Sequence, residues 1–242
     1  KGKSWIEILE SGSPRRPDPS IKQNGKLIPL KSASISQGLE EGQAVIVRKS
    51  AGRGVTSKSI TLRKGEPFAR VMFAYRTGGN IRLESFWSTY SFAPGGKRYA
   101  AYKPLDVVWT PQLRPEQEHI IADHTFRSPA LMMQKGGYFA ALVPVLTDVD
   151  GKGRQIRTVA DLQVETADRP FFSIGLQNWI PEPYRLRNTH VFYVAPDSLA
   201  STVSDTTLTL SYLLFLRADA PKREGYREIV RYHWLTSGDA NM

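Results

Sequence analysis

The chain lacks cysteine and long apolar runs, and both absences exclude classes of protein. With no cysteine in 242 residues, disulfides, thiolate metal sites and cysteine nucleophiles are excluded. A membrane-spanning helix needs about 18 consecutive apolar residues, and the strongest apolar run, Tyr138–Leu146, has only the length of a strand. Histidine is scarce too, and only His119 and His124 are near neighbours, without the H-x-x-x-H spacing of a zinc pair. We therefore expect no metal site, no cofactor and no membrane span.

The charge is strongly positive but scattered along the chain. Thirty-three Lys and Arg residues against 23 Asp and Glu residues give a formal net charge of +10. The densest basic runs are doublets such as Arg15 and Arg16, and no helical pattern is loaded with basic residues. Nucleic-acid binders usually concentrate their charge in a stripe or patch. We therefore expect no nucleic-acid partner, whereas an anionic glycan would suit the same charge.

Familiar catalytic and ligand-binding motifs are missing as well. There is no G-x-S-x-G, no P-loop and no dinucleotide fingerprint. The Asp148-Val149-Asp150 loop is similar to a calcium loop, but Lys152 holds its third acidic position and Val159 stands where a bidentate Glu belongs, so we interpret it as a hairpin turn. Glycoside hydrolysis needs two carboxylates about 5–10 Å apart, and spacing alone selects no pair, so no catalytic residue is assigned. The available carboxylates are Glu84, Asp106, Glu116, Glu118, Asp123 and Asp161.

Alternation of apolar and polar residues dominates the chain from about residue 44. In Asn80–Tyr90 it predicts one face with Ile81, Leu83, Ser85 and Trp87. Tyr138–Leu146 is apolar on both faces, as in a central strand covered on both sides. In Thr206–Arg217 the even positions from Leu208 to Leu216 are all apolar. About ten to twelve such segments, separated by turn signals, predict an all-β fold, a large antiparallel β-sandwich.

In the last residues of the chain, apolar side chains recur with the period of a helix and not with that of a strand. Pro221–Trp234 carries Tyr226, Ile229, Val230, His233 and Trp234 at helical spacing, and Pro221 suits a first helical turn. We expect a linker helix leading towards a C-terminal domain. The Pro- and Ser-rich segment Ser11–Ser20 is typical of an extended arm. The predicted organisation is an N-terminal arm with the first strands over 1–43, the sandwich over 44–220 and the linker helix over 221–242.

Aromatic residues near predicted loops are candidates for sugar binding. Sugars stack their C–H faces on Trp and Tyr and hydrogen-bond to flanking polar groups. The segment from Gln177 to Pro183 has the composition of a loop that displays Trp179. Most of the five Trp residues are expected to fill the core. The other candidates lie in or near predicted loops as well: Tyr90, Trp109 and Arg82. The predicted substrate-binding residues are Trp179, Asn178, Arg185, Trp87 and Arg127.

Several segments resemble one known family. The stretch Ala122–Ala130 (ADHTFRSPA), the apolar strand Tyr138–Leu146, Ser173–Leu176 and the ending Tyr232-His233-Trp234 resemble the N-terminal β-supersandwich domain of six-hairpin, (α/α)6-barrel glycoside hydrolases and their relatives. The resemblance implies a carbohydrate partner, a C-terminal helical domain of the same parent chain, and catalytic carboxylates in that barrel. It also implies a periplasmic or secreted location. On this basis we expect a non-catalytic sandwich domain of a glycoside hydrolase-like protein.

Two alternatives remain open from the sequence. A freestanding carbohydrate-binding module would have its own aromatic platform. A sugar epimerase or mutarotase built on a similar sandwich would carry a His and a Glu in its concave face. The presence of helix-pair patterning after residue 242 in the parent gene would separate the linker-helix hypothesis from both.

Overall fold

A computed structural model describes most of the chain. It covers residues 8–13, 16–38, 43–51, 54–94, 105–109, 121–122, 130–145, 159–164, 170–177, 202–204 and 206–236. Within these ranges the chain forms sixteen strands and one helix, α1, at Tyr226–Thr236. The strands are β1 Leu9–Ser11, β2 Ser20–Gln23, β3 Lys26–Leu27, β4 Leu30–Gly38, β5 Gln43–Ala51, β6 Gly54–Leu62, β7 Phe68–Arg76, β8 Asn80–Phe92, β9 Val107–Trp109, β10 Ile121–Ala122, β11 Leu131–Lys135, β12 Tyr138–Pro144, β13 Val159–Gln163, β14 Phe171–Gln177, β15 Thr202–Ser204 and β16 Thr207–Arg217.

The strands form two antiparallel sheets of eight strands each. Sheet A has the order β10-β13-β14-β8-β2-β3, with β1 and β15 also paired to β8. Sheet B has the order β4-β5-β6-β7-β16-β12-β11-β9. The predicted all-β sandwich is confirmed, with more strands than expected because β1 to β4 lie in the region predicted as an arm and first strands.

The main core lies between the two sheets, where β7 and β16 contribute alternate residues. On β16, Leu208, Leu210, Tyr212 and Leu214 are buried with at most 4% of their surface exposed, as the even-position pattern predicts, whereas Leu216 at the end of the row is 41% exposed. Their partners across the ladder include Phe73, which is paired with Leu210. Thr209 and Ser211 lie on the opposite face.

The alternation predicted for β8 is interrupted by a bulge. Ile81 and Leu83 point into the core, but so do Phe86 and Tyr90, which have the other parity. The pairing with β2 shifts by one residue at this point, since Lys22 pairs with Ser85 and Gln23 with Leu83. After an extra residue in one strand, each later side chain of that strand points to the face of the sheet opposite to the one that regular alternation predicts. Trp87 therefore does not share a face with Ile81 and Leu83, and that prediction is wrong.

The outer face of sheet B carries a second apolar cluster under α1. Phe139, Ala141 and Val143 of β12 lie in this cluster, while Ala140 and Leu142 lie in the main core. The prediction that this strand is covered on both sides is confirmed, and the strand ends at Pro144. From α1, Ile229 is buried and the Tyr232 ring meets Phe68 and Phe215 edge-on at 5.4 and 5.7 Å.

The helix begins five residues later than the sequence predicts. Arg223 has φ of 61°, a left-handed backbone conformation that an α-helix cannot contain. Gly225 packs so closely on Phe139 that an added Cβ would lie 2.3 Å from the ring, and its N–H donates to Gln134 Oε1. The contact with sheet B thus ends the turn and starts the helix at Tyr226, so Pro221 does not occupy its first turn.

We expect the stability of the fold to depend on pH through His233. Burial lowers the pKa of His233 below its ordinary value of 6.5, and Nε2 has no hydrogen-bond partner in the described part of the chain. Below about pH 6.5 the unfolded chain binds this proton more readily than the folded one, so the stability of wild type should fall as the pH is lowered from 6.5 to 5. His233→Gln should show a smaller loss in urea unfolding over this range. An NMR titration that gives His233 a pKa of 6.5 or higher would contradict the prediction.

Candidate functional site

The outer face of sheet A around Trp87 is polar and buried. It carries Thr89 and Ser91 from β8, Ser173 from β14, and Asp161 and Gln163 from β13, none of them more than 4% exposed. Trp87 lies flat against β14, because an added Cβ on Gly175 would come within 2.6 Å of the indole ring. Buried polar groups need hydrogen-bond partners. Most of the partners of these groups belong to one segment near the N-terminus.

We call this segment the strap; it comprises Gly12, Ser13 and Arg16–Pro19. It connects β1 to β2, which pair with two consecutive parts of β8 on either side of Ser88 and Thr89. The Gly12 N–H donates to the Thr89 carbonyl at 2.8 Å. The strap therefore passes the edge of β8 and places charged side chains on both faces of sheet A.

Arg16 covers Trp87 on the outer face. Its guanidinium lies 4.4 Å from the centre of the indole ring, in cation–π geometry. Its Nη1 donates to Asp161 Oδ2 at 2.8 Å and to Ser173 Oγ at 3.0 Å. Trp87 is only 3% exposed as a result, and its ring faces Arg16 and Gly175.

Asp18 points to the inner face and joins the two sheets. Its carboxylate accepts from Lys58 Nζ on β6 of sheet B, from Ser88 Oγ at 3.2 Å and from the Thr89 N–H at 3.1 Å. The side chains of Asp18 and Lys58 are 4% and 10% exposed, so this ion pair is buried. Such a pair is costly to separate because either charge alone would remain in the interior.

Two tyrosines extend the inner network. Tyr212 Oη lies 2.7 Å from Ser88 Oγ and 2.8 Å from Tyr90 Oη. Burial raises the pKa of Tyr212 well above its ordinary value, so its hydroxyl is protonated at neutral pH. Burial alone lowers the pKa of Lys58, but Tyr90 and Asp18 outweigh it and raise the pKa above the ordinary lysine value. Lys58 therefore stays charged and is not poised to act as a base.

The carboxylates that the structure describes are held by partners. Asp161 pairs with Arg16, and Glu84 lies 3.3 Å from Lys22 Nζ and accepts from the Gly25 N–H. Asp106 accepts from the Gly136 N–H, which lowers its pKa. A general acid needs a raised pKa, so the lowered pKa of Asp106 argues against that role. Glu116, Glu118 and Asp123 lie outside the described residues.

An open groove of about 400 Å³ lies where β7 begins and β16 ends. Leu62, Phe68 and Leu216 line its apolar side, and Glu66, Arg217 and Glu228 its polar side. Arg217 donates to Glu228 at 2.6 Å, and a bidentate bond from Arg70 lowers the pKa of Glu66. Both acids thus form ion pairs with arginine side chains, as charged residues at a protein surface commonly do.

Of the five predicted substrate-binding residues, only Trp87 is described. Asn178, Trp179, Arg185 and Arg127 lie outside the described residues, as do the Asp148–Asp150 turn and His119, His124 and His190. Trp87 meets Arg16 instead of solvent. Tyr90 is buried in the inner network, whereas Trp109 on β9 is 51% exposed. The described residues contain no group of His, Cys, Asp and Glu that could hold a metal ion, and no helix among them is long and apolar enough to cross a bilayer.

Comparison with known proteins shows that the fold of this chain is similar to part of a solved structure. No family model matches the sequence, and no curated protein matches it. Among solved structures, the chain is similar to the alpha-galactosidase from Lactobacillus brevis, with a TM-score of 0.52 and 10% sequence identity. The match covers 96% of this chain and 36% of the alpha-galactosidase. The chain therefore has a β-rich fold found within a much longer glycoside hydrolase, and it spans about a third of that protein's length.

Proposed function

We propose that the chain is a non-catalytic β-sandwich domain of a larger carbohydrate-active, glycoside hydrolase-like protein. The observation that carries the proposal is the match of nearly the whole chain to about a third of an alpha-galactosidase. The paired state of Asp161, Glu84 and Asp106 supports a role without acid–base catalysis. In this role the domain supports a C-terminal helical domain of the same parent chain, acts in the periplasm or outside the cell, and needs no cofactor.

Glycan binding by the domain is expected to be weak and to depend on exposed aromatics. Trp179 is the proposed stacking platform, and Asn178, Arg185 and Arg127 are proposed as hydrogen-bonding residues for the same sugar. The exposed Trp109 is a second surface on which a sugar could stack. A shallow site of this kind binds with a dissociation constant of roughly 1 mM, about −4 kcal/mol.

The purified chain should hydrolyse no aryl glycoside, including aryl α-galactosides, and should bind sugars only weakly. Trp179→Ala should remove the binding seen in ligand-observed NMR while the melting temperature stays unchanged, because the sequence predicts that Trp179 lies in a loop and adds little to the core. Trp234→Ala is the matched control, since it removes a Trp that is 58% exposed on α1 and should leave binding intact.

Three results would overturn the proposal. Hydrolysis of a glycan that a single Asp or Glu substitution abolishes would identify an autonomous glycosidase. Faster interconversion of sugar anomers, followed by polarimetry, would identify a mutarotase. Tight glycan binding by a parent protein with no further domain would favour the freestanding binding module.

A further inference from the structure

The guanidinium group of Arg16 is held by four buried side chains on the outer face of sheet A. Its Nη1 donates to Asp161 Oδ2 at 2.8 Å and to Ser173 Oγ at 3.0 Å. Its central carbon lies 4.4 Å from the centre of the Trp87 ring and 5.7 Å from that of the Phe171 ring. The four side chains belong to β8, β13 and β14, and none of them is more than 3% exposed. We call them the guanidinium cage.

The guanidinium cage matches a planar cation. A guanidinium group can face an aromatic ring while the N–H groups on its edge donate to acceptors, and it is less strongly hydrated than an ammonium group. The acceptor is fixed in place, because Gln163 Nε2 also donates to Asp161 Oδ2 at 3.1 Å. A fully buried carboxylate is costly without a cation. The cage therefore requires a positive charge and favours one that is flat.

The walls of the guanidinium cage are formed by the sheet and not by the strap. Asp161 and Ser173 are direct partners in the ladder between β13 and β14, and Trp87 lies on the next strand, β8. The turn that carries Arg16 is held by other bonds. The Arg16 N–H donates to Ser13 Oγ at 3.0 Å, and the Ser13 N–H donates to the Arg16 carbonyl at 2.8 Å. A chain without the Arg16 side chain therefore keeps both the walls and the turn.

From this geometry we infer that the outer face of sheet A is a binding site for alkylguanidinium groups, and that Arg16 is its built-in ligand, which latches the strap onto the sheet. The inference goes beyond the proposed function and does not depend on it. In wild type the tethered side chain fills the guanidinium cage at a high effective concentration, so a dissolved guanidinium compound does not displace it. Removal of the Arg16 side chain opens the cage to such a compound.

Binding of methylguanidinium by Arg16→Ala is the direct test. We expect saturable binding with a dissociation constant of roughly 1–10 mM, followed by the NMR signal of the Trp87 indole N–H. At about 20 mM methylguanidinium, the melting temperature of Arg16→Ala should rise by about 2–4 °C relative to that of wild type. Methylammonium at the same concentration controls for charge and ionic strength, and it should give no such rise because it has no planar face.

A second substitution locates the binding. Arg16→Ala with Asp161→Asn should bind methylguanidinium at least about tenfold more weakly, because the buried acceptor loses its charge. Arg16→Ala with Glu84→Gln is the matched control. It removes a carboxylate of sheet A that pairs with Lys22, and its affinity should equal that of Arg16→Ala.

Wild type provides a measurement that needs no variant. The Nη protons of Arg16 should exchange slowly with water and should be shifted upfield by the Trp87 ring. Rapid exchange of these protons would overturn the inference. So would equal stabilisation of Arg16→Ala and wild type by methylguanidinium, equal effects of methylguanidinium and methylammonium, or failure of Arg16→Ala to fold even with methylguanidinium present, since the cage would then not be formed by the sheet alone.

Discussion

Leu210→Asp is expected to lower the free energy of unfolding by more than about 4 kcal/mol, because it places an unpaired carboxylate between the two sheets. Leu210 is fully buried, in the middle of β16 and opposite Phe73 of β7. Its neighbours in the core row, Leu208 and Tyr212, and its partner Phe73 across the ladder carry no positive charge that could pair with the new carboxylate. The expected fall in melting temperature is about 8–16 °C for a chain of this size.

Thr209→Asp is the matched control for this prediction. Thr209 lies next to Leu210 on the same strand but points to the outer face of sheet B, opposite Ala74. A carboxylate there stays in contact with water, so the expected loss is about 1 kcal/mol or less. Equal melting shifts for the two variants would show that the register of β16 is wrong, because a slip of one residue exchanges the two faces.

Lys58→Met should cost about 3–5 kcal/mol, since it leaves the Asp18 carboxylate buried without its cation. Lys58 lies on sheet B and Asp18 on the strap of sheet A, so the loss should also loosen the strap. We expect faster hydrogen exchange in β1 and β2, together with a lower urea midpoint. The Met side chain retains most of the apolar contact that Lys58 makes with the rings of Phe73 and Tyr90.

Two further variants separate the buried charge from general packing. Asp18→Asn combined with Lys58→Met removes both charges, and it should be less destabilised than Lys58→Met alone because no ion is left unpaired. Lys22→Met breaks the pair with Glu84, where the two side chains are 41% and 20% exposed, and should change stability by about 1 kcal/mol or less. Similar losses for Lys22→Met and Lys58→Met would contradict a buried ion pair.

The same network explains why the candidate site was largely invisible in the sequence. Asp18 and Lys58 are 40 residues apart, and Arg16 and Asp161 are 145 residues apart. Single Arg, Lys and Asp residues usually indicate a solvated surface, and the Pro-rich surroundings of Arg16 and Asp18 are typical of an extended arm. The one available signal was the group of small polar residues that stand among aromatic and aliphatic residues of β8 and β14, namely Ser88, Thr89, Ser91 and Ser173.

The sequence by itself determined the all-β class, the limits of β7, the two covered faces of β12 and the core-facing residues of β16 from Leu208 to Leu214, because side chains alternate with period two along any strand whatever it pairs with. Tertiary structure alone decided the rest. The bulge in β8 lies where this strand pairs with β2. Because of the bulge, Trp87 points to the outer face of sheet A, beneath Arg16, and not to the core. The start of α1 was set by contact of Gly225 with Phe139, and which of its apolar residues are buried depended on where the helix meets sheet B. Each of these depends on contacts between segments far apart in the chain, and no local pattern encodes them.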